Sequence, residues 1–339
     1  MKRLNHWFFR WCHNLLVLNQ IIKKNRMIRV TTSSRIHLAL IDLNASLGRV
    51  DGGIGISLEE PNICIRAELS DSTVITGDRI LAERMKAAVR AVHPGATPRI
   101  HIEEFYPSHA GLGSGTQAAL AAGMAVNKLY NLKLDVVEIG RMVGRGGTSG
   151  IGIAAFENGG FILDGGHNFS DKKAFSPSSI SRADPPPVLA QYEFPDWDIV
   201  LAIPDVKGAS SKREVDLFNK ICPIPLGEVQ TLSHIILMKM LPAVIEKDFK
   251  AFVDAIGRIQ HIGFKKHEII QQIDEVKKLM NIMSEVGGEG VGLSSFGPTI
   301  YAVTKTPDEV KKAAEEFLNQ TIGGKVIITH ACNHGALLR

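Results

Sequence analysis

The spacing of apolar residues predicts short strands followed by amphipathic helices in two successive halves of the chain. The strands are expected at Ile28–Thr31, Ile36–Ile41, Ile54–Leu58, Asn62–Glu68, Ile100–Phe105, Phe161–Leu163, Asp198–Ile203, Thr299–Val303 and Lys325–Thr329. The helices are expected at 80–92, Ala118–Tyr130, Val136–Val143, 212–221, 228–245, 247–262, 265–285 and Pro307–Leu318. Strands and helices in both halves predict an α+β fold.

Polar and turn-forming residues predict where these elements begin and end. Asp135 with Glu138 three residues later resembles a capping box at a helix start. The polar residues Thr32–Ser34 are expected to separate the first two strands, and Glu59–Pro61 to turn the chain between the next two. The sequence therefore predicts four separate strands before the first helix.

Length and composition predict two domains. The chain has 339 residues, 45% of them hydrophobic, which is enough for a full core. Between Ser170 and Pro187 the composition shifts to Ser, Lys, Asp and Pro, as is typical of a surface crossing. We therefore expect an N-terminal domain at 27–187 and a C-terminal domain at 188–339.

Residues 1–26 do not fit the pattern that follows them. They join a basic start to an interrupted apolar stretch, which imitates a signal peptide but has no small-residue cleavage site. Since Met27 opens a clean strand pattern, we expect it to be the functional start, with 1–26 as an extension from an upstream start codon. An amphipathic accessory helix is the alternative.

Charge and cysteine usage exclude several classes of function. The formal net charge is +4, and the basic residues are scattered rather than clustered with aromatic ones, so nucleic-acid binding is not expected. No apolar run has the length of a membrane span, and Cys12, Cys64, Cys222 and Cys332 lack metal or redox spacing. These features predict a cytoplasmic protein with reduced thiols and anionic small ligands.

The segment Ser108–Gln117 carries the strongest functional signal. Its glycines precede a predicted helix, whose first N–H groups and dipole favour a phosphate or pyrophosphate. The expected contacts are Gly111, Leu112, Gly113, Ser114, Gly115, Thr116 and Gln117. A glycine turn that caps a packed helix is the alternative. The spacing matches neither a Walker A loop nor a dinucleotide fingerprint.

Two polar side chains share one face of an early strand. Arg35 and His37 alternate with Ile36 and Leu38, so both point to the same side. The guanidinium offers two parallel donors to an anionic substrate. A solvated edge strand is the alternative.

Other glycine-rich segments could also contact anions. Gly144–Gly152 carries Arg145, Thr148 and Ser149, which could close over a phosphate, although a plain turn explains the glycines equally well. Gly290–Gly297 predicts either an anion-facing loop or a hairpin turn.

Asp164 and His167 follow a short predicted strand. Site residues collect at strand ends, and a carboxylate there could bind Mg²⁺ or steady a cation. A turn-forming Asp-Gly pair is an almost equally good explanation of Asp164.

These segments, in this order, resemble the motifs of the GHMP-kinase superfamily. Thr31–Leu40 resembles its first motif, Pro107–Gly115 its phosphate loop and Gly290–Gly297 its C-terminal glycine motif. The resemblance implies an N-terminal domain like domain 2 of ribosomal protein S5 and a ferredoxin-like C-terminal domain, with the ligand between them. Kinases of this superfamily usually carry an Asp base in a Ser-Gly-x-Asp context, whereas Ser149–Gly152 contains no carboxylate.

The same chain resembles one non-kinase branch, the archaeal β-ribofuranosylaminobenzene 5′-phosphate synthases of methanopterin biosynthesis. The segments that carry this resemblance are Ser34–Asn44, Gly48–Gly55, Ala110–Gln117, Gly144–Gly152 and Asn333–Ala336. It implies condensation of phosphoribosyl pyrophosphate with 4-aminobenzoate or 4-hydroxybenzoate, with release of CO₂ and pyrophosphate. A homodimer that uses Mg²⁺ is implied as well.

The resemblance also implies roles for the polar residues. Catalytic residues are expected among Arg35, His37, Asp42, Asp164 and His167. Phosphate contacts outside the loop are expected at Arg49, Arg145, Thr148 and Ser149, and Mg²⁺ ligands among Asp42, Asp51 and Asp164. Two alternatives remain: a small-molecule kinase that uses ATP with a relocated base, and a non-catalytic nucleotide sensor.

Overall fold

The computed structural model describes residues 27–339 except 179, 207, 209 and 210, so the predicted extension at 1–26 lies outside the described residues. The strands are β1 (Met27–Asp42), β2 (Arg49–Leu69), β3 (Val74–Thr76), β4 (Pro98–Glu104), β5 (Phe161–Asp164), β6 (His167–Asn168), β7 (Val188–Tyr192), β8 (Asp198–Pro204), β9 (Gly290–Leu293), β10 (Ile300–Thr304), β11 (Gly324–Thr329) and β12 (Leu337–Leu338).

The helices are α1 (Arg79–Val92), α2 (Ser114–Tyr130), α3 (Val136–Met142), α4 (Ile151–Glu157), α5 (Phe169–Lys172), α6 (Ser211–Ile221), α7 (Leu226–Ile235), α8 (Leu241–Glu246), α9 (Phe249–Ile259), α10 (Gly263–Ile270), α11 (Asp274–Glu285) and α12 (Pro307–Gln320), with a π-helical turn at Ile236–Met240 between α7 and α8. The larger sheet has the order β12-β1-β2-β4-β3, with β5 and β6 also paired to β2 and β7 to β5. The smaller sheet has the order β11-β8-β10-β9. The predicted α+β class is confirmed.

The first strand is longer than predicted. β1 runs unbroken for 16 residues, so the expected separation at Thr32–Ser34 is wrong. The hydroxyl of Thr32 bonds the buried side chain of Gln117, and Ser57 Oγ donates to Ser33 Oγ over 2.8 Å. Because the hydroxyls of Thr32 and Ser33 find partners inside the protein, these two residues can remain in a buried strand, whereas Ser34 Oγ is buried without a partner among the described residues.

The second strand is also continuous. β2 runs for 21 residues through Glu59–Pro61, so the predicted turn there is wrong. Glu59 N donates to His330 O and Glu60 N donates to Thr329 Oγ1, each over 3.0 Å. The chain that follows β11 therefore satisfies the two amides that a turn would have left to water.

Helix boundaries agree better with the sequence. Asp135 and Glu138 form the predicted capping box at the start of α3. The predicted helix at 265–285 is two helices, α10 and α11, separated by Gln271–Ile273.

The pairing of strands does not follow the domain boundary that the composition predicts at 187–188. β7 begins at Val188 yet pairs with β5, and β12 pairs with β1, so both belong to the larger sheet. One large buried cluster joins Val30 and Leu120 to Leu201 and Phe252. The two halves thus share a core, and the boundary between 187 and 188 stays a prediction.

One helical run has the length and composition of a membrane span. Within the described residues, Leu226–Glu246 has 21 residues and a mean hydropathy of 1.2, and 39% of its most apolar window is buried. The sequence analysis did not predict such a run. Core helices of soluble proteins meet the same criteria, so one such helix is weak evidence for a membrane span.

Candidate active site

A cavity of about 450 Å³ lies where β1, the start of α2, α6 and α10 meet. Several predicted site residues line it: Arg35, His37, Gly111, Gly113, Ser114, Gly115, Thr116, Arg145, Thr148 and Ser149. The structure therefore brings together most of the residues that the sequence singled out, although they come from separate segments.

The phosphate loop is built around arginine side chains. Gly113 has φ +83°, and an added Cβ would lie 3.1 Å from Arg35 Cζ. Arg35 Nη1 donates to Gly111 O over 2.6 Å. A Cβ on Gly115 would lie 2.7 Å from Arg84 Nη1. These glycines therefore admit two guanidinium groups beside the first turn of α2, which adds positive charge to the helix start.

Two residues predicted in the loop do not reach the cavity. Leu112 is 1% exposed and Gln117 is fully buried. Gln117 Nε2 donates to Gly152 O over 2.8 Å, which ties α2 to α4. Both side chains hold the loop in place from behind.

The structure adds basic groups that the sequence analysis missed. Arg84, His109 and Arg182 line the same cavity. Arg84 Nη2 lies 3.2 Å from His109 Nε2. His109 falls inside the phosphate-loop motif and was therefore visible in the sequence. Arg84 on α1 and Arg182 in the Ser- and Pro-rich segment had no local signal.

Arg145 is a buried cation beside this group. Burial, and then the charge of Arg84, lower the pKa of Arg145 to about 10. Its Nε is buried and has no hydrogen-bond partner among the described residues. A buried donor of this kind indicates a ligand atom that completes the site.

His37 lies with Arg35 on the cavity wall, as expected for alternate residues of one strand. Burial, and then the charges of Arg35 and Lys265, hold the pKa of His37 well below its usual value. The imidazole is therefore neutral at neutral pH. Its Nδ1 is buried and also has no partner within the described part of the chain.

Two predicted carboxylates lie outside the cavity lining because backbone donors engage them. Asp42 Oδ1 accepts from Asn44 N over 2.7 Å and from Ala45 N over 3.0 Å, which closes the turn after β1. Asp164 Oδ2 accepts from Gly150 N over 2.8 Å and from Ser149 Oγ over 3.1 Å. Burial raises the pKa of Asp164 to about 6.

Asp51, His167 and Lys172 form a buried group behind the cavity, named the Asp51 cluster below. Asp51 Oδ2 lies 2.6 Å from Lys172 Nζ and 2.7 Å from His167 Nδ1. His167 Nε2 lies 3.0 Å from Gly146 O, and Lys172 Nζ donates to Thr148 Oγ1 over 3.2 Å. The cluster therefore positions the Gly144–Gly152 segment, and none of its three side chains lines the cavity.

Arg49 also holds a neighbouring backbone segment in place. Its Nε donates to Gly165 O over 2.9 Å and its Nη2 to Gly166 O over 2.7 Å. The structure thus places this predicted phosphate contact against the turn after β5.

The predicted Mg²⁺ ligands do not form a metal site. Asp42 and Asp164 accept hydrogen bonds from the protein, and Asp51 pairs with Lys172. In the described ranges, no group of three or more His, Cys, Asp or Glu side chains could hold a metal ion. These residues therefore do not fit a dedicated Mg²⁺ centre.

The C-terminal half supplies an acidic and aromatic wall that the sequence analysis missed. Glu214 of α6 and Glu268 of α10 line the cavity, together with Phe218 and Phe296. Glu268 Oε2 lies 2.5 Å from the buried Lys265 Nζ. We name Lys265 and Glu268 the Glu268 cluster.

Ser294 joins the two halves of the cavity. Its Oγ donates to Gly111 O over 2.8 Å and accepts from His37 N over 3.1 Å. Ser295 N donates to His37 O over 2.9 Å, and Thr299 N donates to Ala110 O over 3.2 Å. The Gly290–Gly297 segment is thus β9 followed by a turn packed against the phosphate loop.

Comparison with known proteins defines the class first. Residues 79–160 match the GHMP kinases N terminal domain, and residues 240–322 match the GHMP kinases C terminal domain. A homoserine kinase from Cytophaga hutchinsonii has a TM-score of 0.67 at 18% identity, over 92% of this chain and 97% of that one. The mevalonate diphosphate decarboxylase of Staphylococcus aureus has a TM-score of 0.62 at 14% identity, over 93% and 98%. The predicted two-domain GHMP-kinase-like fold is confirmed.

Curated relatives identify the branch. A β-ribofuranosylphenol 5′-phosphate synthase from Archaeoglobus fulgidus is 47% identical over 91% of this chain and 98% of the relative. The protein of the same name from Methanocaldococcus jannaschii is 45% identical over 90% and 98%. The chain belongs to the β-ribofuranosylphenol 5′-phosphate synthase family.

Proposed function

We propose that this protein condenses phosphoribosyl pyrophosphate with a 4-substituted benzoate, releasing CO₂ and pyrophosphate and forming a C–C glycoside. The observation that carries the proposal is one cavity that joins a basic helix start to the aromatic side chains Phe218 and Phe296. The relatives are named for a phenol product, which favours 4-hydroxybenzoate over 4-aminobenzoate. The protein is thus an enzyme, a pentosyltransferase with a coupled decarboxylation.

The basic part of the cavity supports loss of pyrophosphate. Negative charge grows on the leaving group as its bond to the ribose C1 breaks. The first N–H groups of α2, with Arg35 and Arg84 beside them, place fixed positive charge there. The buried donor of Arg145 offers a further contact to the substrate phosphates.

The apolar part of the cavity supports the carbon–carbon step. Loss of pyrophosphate leaves an oxocarbenium-like ribose C1, which the ring carbon bearing the carboxylate attacks. Loss of CO₂ then returns an electron pair to the ring and restores its aromaticity. Leu40, Phe218 and Phe296 would exclude water that competes for the cation.

Mg²⁺ and the assembly belong to the proposal as well. Mg²⁺ is expected to arrive with the pyrophosphate, since in phosphate sites it is held largely by substrate oxygens and water. We also propose a cytoplasmic homodimer, as the resemblance implies.

Label release tests the reaction directly. Carboxyl-labelled 4-hydroxybenzoate is incubated with the protein, Mg²⁺ and phosphoribosyl pyrophosphate, and labelled CO₂ is counted. Release should require phosphoribosyl pyrophosphate and should not occur with ATP. Absence of labelled CO₂ together with ATP-dependent phosphorylation of an alcohol would establish the kinase alternative.

A further inference from the structure

We infer that Glu214 is a catalytic base that takes the proton of the hydroxyl or amino group para to the benzoate carboxylate. The inference rests on the proposed function and adds a residue role to it. It concerns the part of the cavity lined by Glu214, Glu268, Phe218 and Phe296, which phosphate binding leaves unused.

The surroundings of Glu214 suit a flat ring with a hydrogen-bond donor. The Phe218 ring lies 4.6 Å from the Phe264 ring and 6.3 Å from the Phe296 ring, measured between centroids. Phe218 and Phe264 are buried, and Phe296 is the partly exposed ring of this group, so Phe296 offers the apolar contact to an aromatic substrate. Two carboxylates beside them repel phosphate and attract a donor, so the ring should enter with its hydroxyl or amino group towards Glu214.

A second observation shows that a polar ligand belongs in this cavity. His37 is 5% exposed, and its Nδ1 has no hydrogen-bond partner among the described residues. Leaving such an atom without a partner is unfavourable, and a hydrogen bond from or to a ligand would remove that cost. His37 also lies near enough to Arg35 and Lys265 for their charges to affect it. Arg35, His37 and Glu214 line the same cavity.

The two carboxylates have different surroundings. Glu268 is 3% exposed and is paired with Lys265, whose Nζ also donates to Leu293 O over 3.0 Å and to Ser295 O over 3.2 Å. Glu268 is therefore a positioning residue. Burial, and then the charge of Glu268, raise the pKa of Glu214 to about 7. A base with that pKa works well near neutral pH.

The step balances in protons and electrons. The bond between ribose C1 and pyrophosphate breaks first and leaves an oxocarbenium-like C1. The Glu214 carboxylate then takes the phenolic proton while the ring carbon bearing the carboxylate forms a bond to that C1. The ring is then a dienone with a tetrahedral carbon. Cleavage of the bond to the carboxylate releases CO₂ and returns its electron pair to the ring. The oxygen regains the proton from Glu214.

The proposal predicts an acid limb in the pH profile. The charged or titratable groups close to this part of the cavity include Glu268, whose charge acts on Glu214, Lys265 of α10, and Arg35 and His37 of β1. Arg84, His109, Arg145 and Arg182 also line the cavity. Since only the ionised Glu214 can accept the proton, kcat/KM for 4-hydroxybenzoate should fall tenfold per pH unit below about 7.

Glu214→Gln tests the role against a matched control. Asp216→Asn makes the same change of charge on the exposed face of the same helix. Glu214→Gln should lower kcat about 10²–10⁴-fold, leave KM for phosphoribosyl pyrophosphate unchanged and abolish the acid limb. Asp216→Asn should behave as the wild type, and Glu214→Asp should recover part of the activity.

A substrate with a more acidic phenol separates a base from a structural role. With 3,5-difluoro-4-hydroxybenzoate the proton is already lost near neutral pH. The ratio of wild-type to Glu214→Gln activity should therefore shrink at least tenfold relative to 4-hydroxybenzoate. An equal ratio for both substrates, or a Glu214→Gln variant as active as Asp216→Asn, would overturn the inference.

Other outcomes separate the inference from the proposed function. If the wild type releases no CO₂ from 4-hydroxybenzoate and phosphoribosyl pyrophosphate, the proposed function fails. If Glu214→Gln melts well below the wild type, the wild-type pH profiles decide. An acid limb near pH 7 in kcat/KM for 4-hydroxybenzoate supports the base, and a profile that stays flat from pH 7.5 down to pH 5.5 overturns it.

Discussion

The Asp51 cluster and the Glu268 cluster are both buried ionic groups, but they differ in what they face. The side chains of Asp51 and Lys172 are 0% and 1% exposed and do not line the cavity, although Lys172 also donates to Thr148, which does. Glu268 is 3% exposed, yet it lines the cavity beside Glu214. Burial of charge therefore does not by itself mark a functional residue. Both clusters hold segments together, but only the Glu268 cluster contributes a side chain to the cavity wall.

The largest expected effect is on stability, at the Asp51 cluster. Lys172→Met leaves the buried Asp51 carboxylate without its cation, which should lower the free energy of unfolding by about 3–5 kcal/mol. Urea unfolding measures the change. Lys173→Met, an exposed neighbour, is the control. If the free energy of unfolding falls by less than about 1 kcal/mol, the cluster does not stabilise the fold as proposed.

A substitution in the Glu268 cluster should lower stability less, and turnover more, than Lys172→Met. In Glu268→Gln, Lys265 still donates to Leu293 O and Ser295 O, so the loss of stability should be only about 1–3 kcal/mol. Turnover should fall more than in Lys172→Met when both variants are assayed folded. Measuring kcat and melting temperature for both variants tests this prediction. Equal turnover in the two folded variants would contradict a different role for the two clusters.

Two glycines with similar φ values can separate the effect of backbone strain from the effect of a contact in the phosphate loop. Gly113→Ala places a Cβ at φ +83° and 3.1 Å from Arg35 Cζ, whereas Gly48 has φ +78° with nothing within 4 Å. Both alanines should cost about 1–2 kcal/mol of backbone strain. Only Gly113→Ala should also raise KM for phosphoribosyl pyrophosphate. If the two folded variants have the same kinetics, the loop is not part of the active site.

The smallest expected effect is a pH dependence of stability at His37. The unfolded chain takes up a proton at this histidine near pH 6.5, whereas burial keeps the folded one neutral. Stability is therefore full above pH 6.5 and should fall by about 1.4 kcal/mol for each pH unit below it. His37→Gln should flatten this decline in urea unfolding between pH 7.5 and 5.5. His101→Gln, at an exposed position, should not.

Features that depend on a few neighbouring residues could be predicted from the sequence. The capping box of Asp135 and the glycine loop before α2 are local, and both form as expected. Arg35 and His37 share a face because a strand alternates, and both line the cavity. The breaks at Thr32–Ser34 and Glu59–Pro61 were wrong because their partners come from distant segments, which polarity alone does not reveal.

The missed site residues depend on tertiary structure. Glu214 and Glu268 are polar positions on two ordinary amphipathic helices, and only the packing of α6 and α10 places them on one cavity wall. Tertiary structure also decides where Asp164 and His167 lie. The sequence predicts both as catalytic residues, but a backbone amide holds Asp164, the buried Asp51 holds His167, and neither side chain lines the cavity.

The hydroxyl of Ser294 couples the phosphate loop to the turn between β9 and β10, which belongs to the smaller sheet. It bonds the phosphate loop at Gly111 and the strand at His37, while the amides of Ser295 and Thr299 bond His37 and Ala110. An anion that orders the loop therefore also suppresses local opening of the turn between β9 and β10. Hydrogen exchange at the amides of Ser295 and Thr299 should slow when pyrophosphate binds, although neither amide needs to touch it.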